Sequence, residues 1–190
     1  MSRFFVTTPI YYVNDKPHLG HAYTTLCADV LARWHRLLGD EVFFLTGTDE
    51  HGAKVQQSAV AVDMSPLDFA ESNAARFVEA WKGLDINYDF FMRTSDARHE
   101  AVVAKVLQKI YDRGFIYKGE YSGLYCVGCE KFLQNDDVVD GHCPLHPNQT
   151  PVENKEENYF FKLSAFRDKL LAAIEQGDYK IIPEGRKNEV

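Results

Sequence analysis

The sequence predicts an α/β fold, with a doubly wound parallel sheet in residues 1–115 and a small region of short strands around a cysteine–histidine cluster in residues 116–190. Two observations carry that reading. Apolar runs rich in aromatic and β-branched residues alternate with amphipathic stretches as far as Gly114, an order that implies a parallel sheet with right-handed crossovers. Beyond Gly114 the character changes to short aromatic runs, many turn residues and a cysteine–histidine cluster.

Taken in chain order, Arg3-Phe4-Phe5-Val6-Thr7-Thr8 reads as a buried strand. Leu26, Val30, Trp34 and Leu37 then recur every three or four residues, widened by Leu31 and Leu38, as the apolar stripe of a long helix that Gly39 stops. Asp40 to Thr46 reads as the next strand. Pro66 falls in the first turn of a helix with Ser65 as its N-cap, and Ala70, Ala74, Phe77, Val78 and Trp81 form its apolar face. Tyr88 to Met92 gives a third strand, and Val102, Val103, Val106, Leu107, Ile110 and Tyr111 mark the helix that ends at Gly114. Later, Tyr159 to Leu163 reads as a strand, and Ser164 caps a last helix carrying Phe166, Leu170, Leu171 and Ile174.

Composition narrows the class. The 190 residues are 45% hydrophobic and 26% charged, which is globular, with no low-complexity tract and no internal repeat. No apolar run is long enough for a bilayer, and no basic segment followed by an apolar core marks secretion. The expectation is a soluble cytoplasmic protein with no membrane partner. A net charge of −7 argues against a sequence-independent DNA binder, which would be basic. A local basic strip leaves tRNA open.

The chemistry begins at His18-Leu19-Gly20-His21, between the first strand and the long helix. Free N–H groups and the helix dipole make such a junction a phosphate site. Glycine lets a flat base approach the backbone, and imidazoles can donate hydrogen bonds as charge builds. On its own the tetrapeptide matches by chance often, and two surface histidines are the plain alternative. A second block, Gly47-Thr48-Asp49-Glu50-His51-Gly52, follows the next strand at its carboxyl end. An acid there can hold an ammonium group; the plain alternative is an acidic loop that caps a helix.

The wider stretch Thr7-Thr8-Pro9-Ile10-Tyr11-Tyr12-Val13-Asn14-Asp15-Lys16-Pro17-His18-Leu19-Gly20-His21 resembles the signature of the class I aminoacyl-tRNA synthetases, closely that of the methionyl-tRNA synthetases. Leu45-Thr46-Gly47-Thr48-Asp49-Glu50-His51-Gly52 is similar to the second signature of the same family. The resemblance implies a Rossmann-like catalytic fold in which His18, Gly20 and His21 contact ATP, taken up with Mg2+. It makes His18 and His21 catalytic, stabilising the transferring phosphate. Ile10 and Tyr12 would line the methionine pocket, and Asp49 would hold the α-amino group. The reaction implied is attack of methionine's carboxylate on the α-phosphate of ATP, giving methionyl-adenylate and pyrophosphate, then transfer to a methionine-accepting tRNA.

Cys126-Val127-Gly128-Cys129, thirteen intervening residues and Cys143-Pro144-Leu145-His146 form two pairs, each spaced by two residues. That spacing suits one tetrahedral zinc, and a closed set of four ligands makes the metal structural. Gly128 and Pro144 supply the tight turns. Disulfides fit poorly, since nothing marks secretion and three cysteines cannot pair completely. His142 competes as the fourth ligand, but His146 repeats the spacing. The resemblance agrees, because the family carries a zinc knuckle in the insertion after the first half of its catalytic fold. Cys27 reads as a core thiol.

The remaining polar and aromatic residues take plain readings. His35 and His99 sit on helices with no partner evident, and Glu153 to Glu157 reads as a charged, solvated turn. Tyr117, Tyr121 and Tyr125 read as filling a small core. Against the family pattern, only three of five parallel strands are found, and the Lys-Met-Ser-Lys-Ser loop and the helical anticodon-binding domain are not. The expectation is therefore the N-terminal part of a longer enzyme or a truncated product, poorly active alone, with the missing half of the catalytic fold as its partner. Its first strand would be an open edge prone to self-association. The alternatives are a non-catalytic zinc-binding fragment that meets tRNA or a partner chain, and another nucleotidyl-transfer family such as cysteinyl-tRNA synthetases or small adenylyltransferases.

Overall fold

The computed structural model describes residues 2–129, 131–133, 138–139, 141–148 and 150–189. They form two compact units, Met1–Ala104 and Lys105–Val190. Among the described residues, no helix is long and apolar enough to cross a membrane.

The first unit is built on a parallel sheet whose middle strand is β3 (Glu41–Asp49). β1 (Arg3–Thr7) pairs with β3 from Arg3↔Glu41 to Thr7↔Leu45, and β2 (Tyr11–Tyr12) continues the same edge at Thr48 and Asp49. β4 (Phe90–Arg93) pairs along the other edge, from Leu45↔Phe90 to Thr48↔Arg93. The strand pattern of the sequence is thus present, with β4 starting two residues later and ending one residue later than Tyr88 to Met92. Gly47 lies opposite Met92 in this pairing, and a Cβ there would stand 2.0 Å from the Met92 carbonyl oxygen.

Helices α1 (Leu19–Leu37), α2 (Ala53–Ala61) and α3 (Pro66–Gly83) connect these strands. Ser65 caps α3 as expected, its Oγ accepting from the Asp68 N–H at 3.1 Å. The core gathers Tyr11, Val13, Phe44, Val55, Phe77 and Trp81 with small residues Ala28, Ala32, Ala70 and Ala74. On α3, Val78 stays exposed, and Asn73 takes the buried place instead. Its side-chain amide donates to the Val13 carbonyl at 2.6 Å, which satisfies both groups in the interior.

The largest departure from expectation is α1. Its buried residues are Thr25, Ala28, Asp29 and Ala32, whereas Val30, Leu31, Trp34, Leu37 and Leu38 are exposed, Leu37 by 83%. The ordinary rule turns the large apolar stripe to the core; here the small face lies against the sheet. Asp29 is tolerated inside because its carboxylate accepts from the Asn87 N–H at 2.8 Å and from Arg33 Nε at 2.6 Å. Cys27, expected in the core, is exposed on this helix. His35, expected without a partner, stacks on Phe4 with centroids 3.5 Å apart and contacts Asp40 at 2.7 Å.

Two further corrections follow the same logic. β1 is not buried throughout: it pairs on one side only among the described residues, and Phe5 remains 60% exposed. Helix α4 (Ala97–Asp112) buries none of its apolar series, with Val102, Val103, Val106, Leu107 and Tyr111 all exposed.

The second unit is an antiparallel sheet of β5 (Ile116–Cys126), β6 (Lys131–Leu133) and β7 (Val152–Phe161), in the order β6–β5–β7. Glu153 to Glu157 is therefore strand and not turn. Cross-strand pairs Lys118–Glu157 and Lys155–Glu120 let this charged segment pair without an apolar alternation. Tyr117, Tyr121 and Tyr125 line one face with Phe132 and Phe160 as ring neighbours, but Tyr117 and Tyr121 stay exposed, so the core they form is open. Gly119 and Gly123 alternate with them; a Cβ at Gly119 would meet the Phe160 ring at 3.2 Å. The chain then makes a 3-10 turn, Leu163–Phe166, and α5 (Arg167–Gln176). Ser164 lies inside that turn, and α5 has Phe166 at its N-cap position, with no side-chain cap.

Candidate functional site

At the carboxyl end of the parallel sheet, Tyr12 and Asp49 are register partners on β2 and β3. Tyr12 and Ile10 are both nearly half exposed. Between them Tyr11 points inward, 6% exposed, and does structural work the sequence reading missed. Its ring packs 4.7 Å from His21 and 5.8 Å from Phe77, and its hydroxyl meets Thr25 Oγ1 at 2.9 Å. Thr25 in turn donates to the His21 carbonyl at 2.8 Å. The alternation of a strand would have pointed to Tyr11 as the buried member.

His18 is the N-cap of α1, and it forms a reciprocal capping box with His21. The Gly20 N–H donates to His18 Nδ1 at 3.0 Å, and the His18 N–H donates to His21 Nδ1 at 3.2 Å. The two rings stack with centroids 3.7 Å apart. Two of the N–H groups expected to be free at this helix end are thus taken by the imidazoles. A Cβ at Gly20 would lie 2.9 Å from His18 Cε1, so glycine here makes room for the imidazole.

Burial, and secondarily the neighbouring His18, lower the pKa of His21 below its ordinary 6.5. The folded chain therefore favours neutral His21. Its contribution to stability is full above 6.5 and is lost as pH falls through the lowered value. The urea midpoint of wild type should fall more between pH 7.5 and pH 5 than that of His21→Gln; parallel curves would refute this.

Behind Asp49, the next residue is tightly held. Glu50 is 5% exposed, and its carboxylate accepts from Thr48 Oγ1 and Arg93 Nε, both at 2.8 Å, and from Ser95 Oγ. Its own N–H donates to Thr94 Oγ1 at 2.8 Å. Burial opposes the charge, but the hydrogen bonds from Arg93, Ser95 and Thr48 outweigh it and keep Glu50 below the ordinary carboxylate range. These bonds tie the end of β3 to the end of β4 and fix the backbone on which Asp49 stands. Glu50 lies inside the second motif, yet only the fold brings Arg93 and Ser95 to it.

In the second unit, the donor atoms of Cys126, Cys129, Cys143 and His146 all lie within 4.8 Å of one another. His146 Nδ1 is 3.7, 3.2 and 4.0 Å from the sulfurs of Cys126, Cys129 and Cys143, and Cys129 Sγ is 3.5 Å from Cys143 Sγ. Tetrahedral zinc with bonds of about 2.3 Å to sulfur and about 2.0 Å to nitrogen spaces its ligands about 3.5–3.8 Å apart. The arrangement can hold one such ion. The bond to His146 is the main reason the Cys143 thiol falls to about 6, while burial and the neighbouring thiols push Cys129 up to about 11. Gly128 serves differently from the turn expected of it: a Cβ there would sit 2.5 Å from the His146 ring. His142 stands outside the group, its Nδ1 buried without a hydrogen-bond partner among the described residues.

Residues 4–151 match the family model described as tRNA synthetases class I (M). The chain belongs to this class I tRNA synthetase family. Methionine–tRNA ligase of Caldanaerobacter subterraneus subsp. tengcongensis is 50% identical over 98% of the chain, and that of Synechocystis is 48% identical over the same share. The chain spans about a third of the length of these curated relatives, 29% and 35% respectively. A solved structure of Mycobacterium tuberculosis methionyl-tRNA synthetase, in complex with methionyl-adenylate, superposes with a TM-score of 0.92 at 40% identity, covering all of this chain and 38% of that one. The parallel sheet of the first unit is accordingly the Rossmann-like sheet of a class I synthetase.

Proposed function

We propose that this chain is the N-terminal part of a methionine–tRNA ligase acting in the cytoplasm. Residues 1–115 make the first half of its catalytic fold, and residues 116–190 its zinc-knuckle insertion. The supporting observation is that both signatures of the methionyl family fall at one end of the sheet, in a chain so close to a synthetase solved with methionyl-adenylate. Asp49 binds the ammonium group of methionine, with Tyr12 and Ile10 beside the side chain. His18, Gly20 and His21 receive ATP with its Mg2+, and the two imidazoles stabilise charge as the carboxylate displaces pyrophosphate. The methionyl group then passes to tRNA. Catalysis of this kind is positioning and electrostatic stabilisation, so no side chain becomes a covalent nucleophile.

Cys126, Cys129, Cys143 and His146 hold one structural zinc, whose contribution is to tie the knuckle together. Elemental analysis of unchelated protein is expected to find about one zinc per chain by the four-ligand rule. A content under about a tenth of that would sink the assignment.

The functional test is methionine-dependent exchange of labelled pyrophosphate into ATP. The 190-residue chain alone should exchange negligibly. Joined in line to the remainder of a curated relative, it should exchange at a rate near that relative's own. Asp49→Ala in the joined protein should raise the KM for methionine at least about tenfold, since a hydrogen bond to a charged group is worth about 1.5–3 kcal/mol. A joined protein that folds yet does not exchange would refute the proposal and favour a non-catalytic zinc-binding fragment.

A further inference from the structure

The capping box at the head of α1 uses each histidine in an unusual direction. A backbone N–H can only donate, so the nitrogen that faces it must carry a lone pair. Gly20 N–H faces His18 Nδ1 at 3.0 Å, and His18 N–H faces His21 Nδ1 at 3.2 Å. A neutral imidazole with Nδ1 as acceptor has its proton on Nε2. Two of the helix's amino-terminal N–H groups are thereby spent on imidazoles and withdrawn from any direct contact with a ligand.

We infer that the capping box locks both His18 and His21 as neutral imidazoles protonated on Nε2, and that these two Nε2–H groups, in place of the helix's own N–H groups at residues 18 and 20, are the donors offered to a phosphate oxygen. The use of the donors rests on the reading of the site as an ATP site; the tautomers do not. Each imidazole relays helix polarity outward. The amide polarises the ring through Nδ1, and the ring's Nε2–H becomes a better donor, as in any chain of hydrogen bonds.

Three further contacts hold the arrangement. The rings stack 3.7 Å apart, a spacing that two imidazolium cations would resist. Tyr11 and Phe77 back the His21 ring at 4.7 and 5.2 Å and restrict its rotation. Gly20, whose Cβ would strike His18 at Cε1 and Nδ1, is the residue that lets the first bond form. Glycine between the two histidines is on this view a condition for the tautomer, quite apart from any closeness to a base.

The experiment is long-range proton–nitrogen correlation NMR on the 190-residue chain labelled with 15N-histidine, at pH 7.5 without nucleotide. His18→Asn and His21→Gln spectra assign the two resonance sets. Both histidines are expected to show a protonated Nε2 and a lone pair on Nδ1. A proton on Nδ1 of either ring, or protonation of both nitrogens, would overturn the inference. In Gly20→Ala, His18 is expected to lose its single tautomer and show a mixture. If it kept the pure Nε2–H form in a folded variant, the cap would not be what sets it. Because the spectra contain no substrate, a failed tautomer assignment is distinct from a failed pyrophosphate exchange.

Discussion

Gly47→Ala is expected to unfold the first unit, or leave it insoluble. The Cβ introduced would sit 2.0 Å from the Met92 carbonyl oxygen, 2.8 Å from its carbon and 3.0 Å from its Cα. All three atoms are backbone, so no rotamer change relieves the clash. β3 and β4 would have to separate at Gly47↔Met92, in the middle of their four-residue pairing. That pairing also brings Arg93 to Glu50, so the clash reaches the end of β3 that carries Asp49. Overpacking a well-filled core costs about 1–3 kcal/mol and more when backbone must move; a loss at or above about 3 kcal/mol is a large share of a domain's stability. Urea unfolding followed by tryptophan fluorescence, which reads the buried Trp81, measures it. A midpoint equal to wild type would show that the strands can part without penalty.

Removing the proposed zinc is expected to undo the turns around Cys126, Cys129, Cys143 and His146 while leaving the long hairpin in place. β5 and β7 are paired at ten successive positions, Ile116↔Phe161 to Tyr125↔Val152, a ladder that needs no ion. Among the described residues around the cluster, the buried apolar residue besides the cysteines is Leu133, with Val138 packed beside it, too little to order a loop alone. Structural zinc supplies about 10–16 kcal/mol in zinc-finger peptides, so chelation should expose amides around Cys126 and Cys143 to exchange and spare those of β7. Gly128→Ala separates metal binding from loss of a ligand. No donor is removed, but the new Cβ pushes on the His146 ring, and zinc affinity should fall about 10–100-fold, the usual cost of disturbing a ligand's support. Equal affinity in the variant would mean His146 is not held where the structure has it.

How far the sequence could be read depended on how local each determinant is. The Ser65-Pro66 helix start, the strands β1, β3 and β4 and the four-ligand spacing are written in short stretches of chain, and each appears in the structure. What escaped needs two distant segments at once. Arg93 and Ser95 meet Glu50 only because β4 lies beside β3. Asn73 reads as a polar intruder on an apolar face until Val13 is seen beneath it. Glu153 to Glu157 lacks any strand pattern by itself, and becomes strand beside β5, whose Lys118 and Glu120 pair with Glu157 and Lys155. Periodicity, finally, reports that a helix has an apolar side but not what that side faces, and α1 departs from its pattern for that reason.

Helix α1 therefore inverts the usual map of tolerance to substitution. Most helices fail when a leucine is cut down and shrug off changes at alanine. Here the alanines are the spacers that set the distance between helix and sheet, with Ala32 fully buried and Ala28 6% exposed. Enlarging either would lift the whole helix, and with it the two histidines at its head. Leu37 touches mostly water in this chain and Leu31 is half exposed, so both could become polar at little cost to the first unit. Any reading of variants along Leu19–Leu37 that ranks damage by lost side-chain volume would rank them backwards.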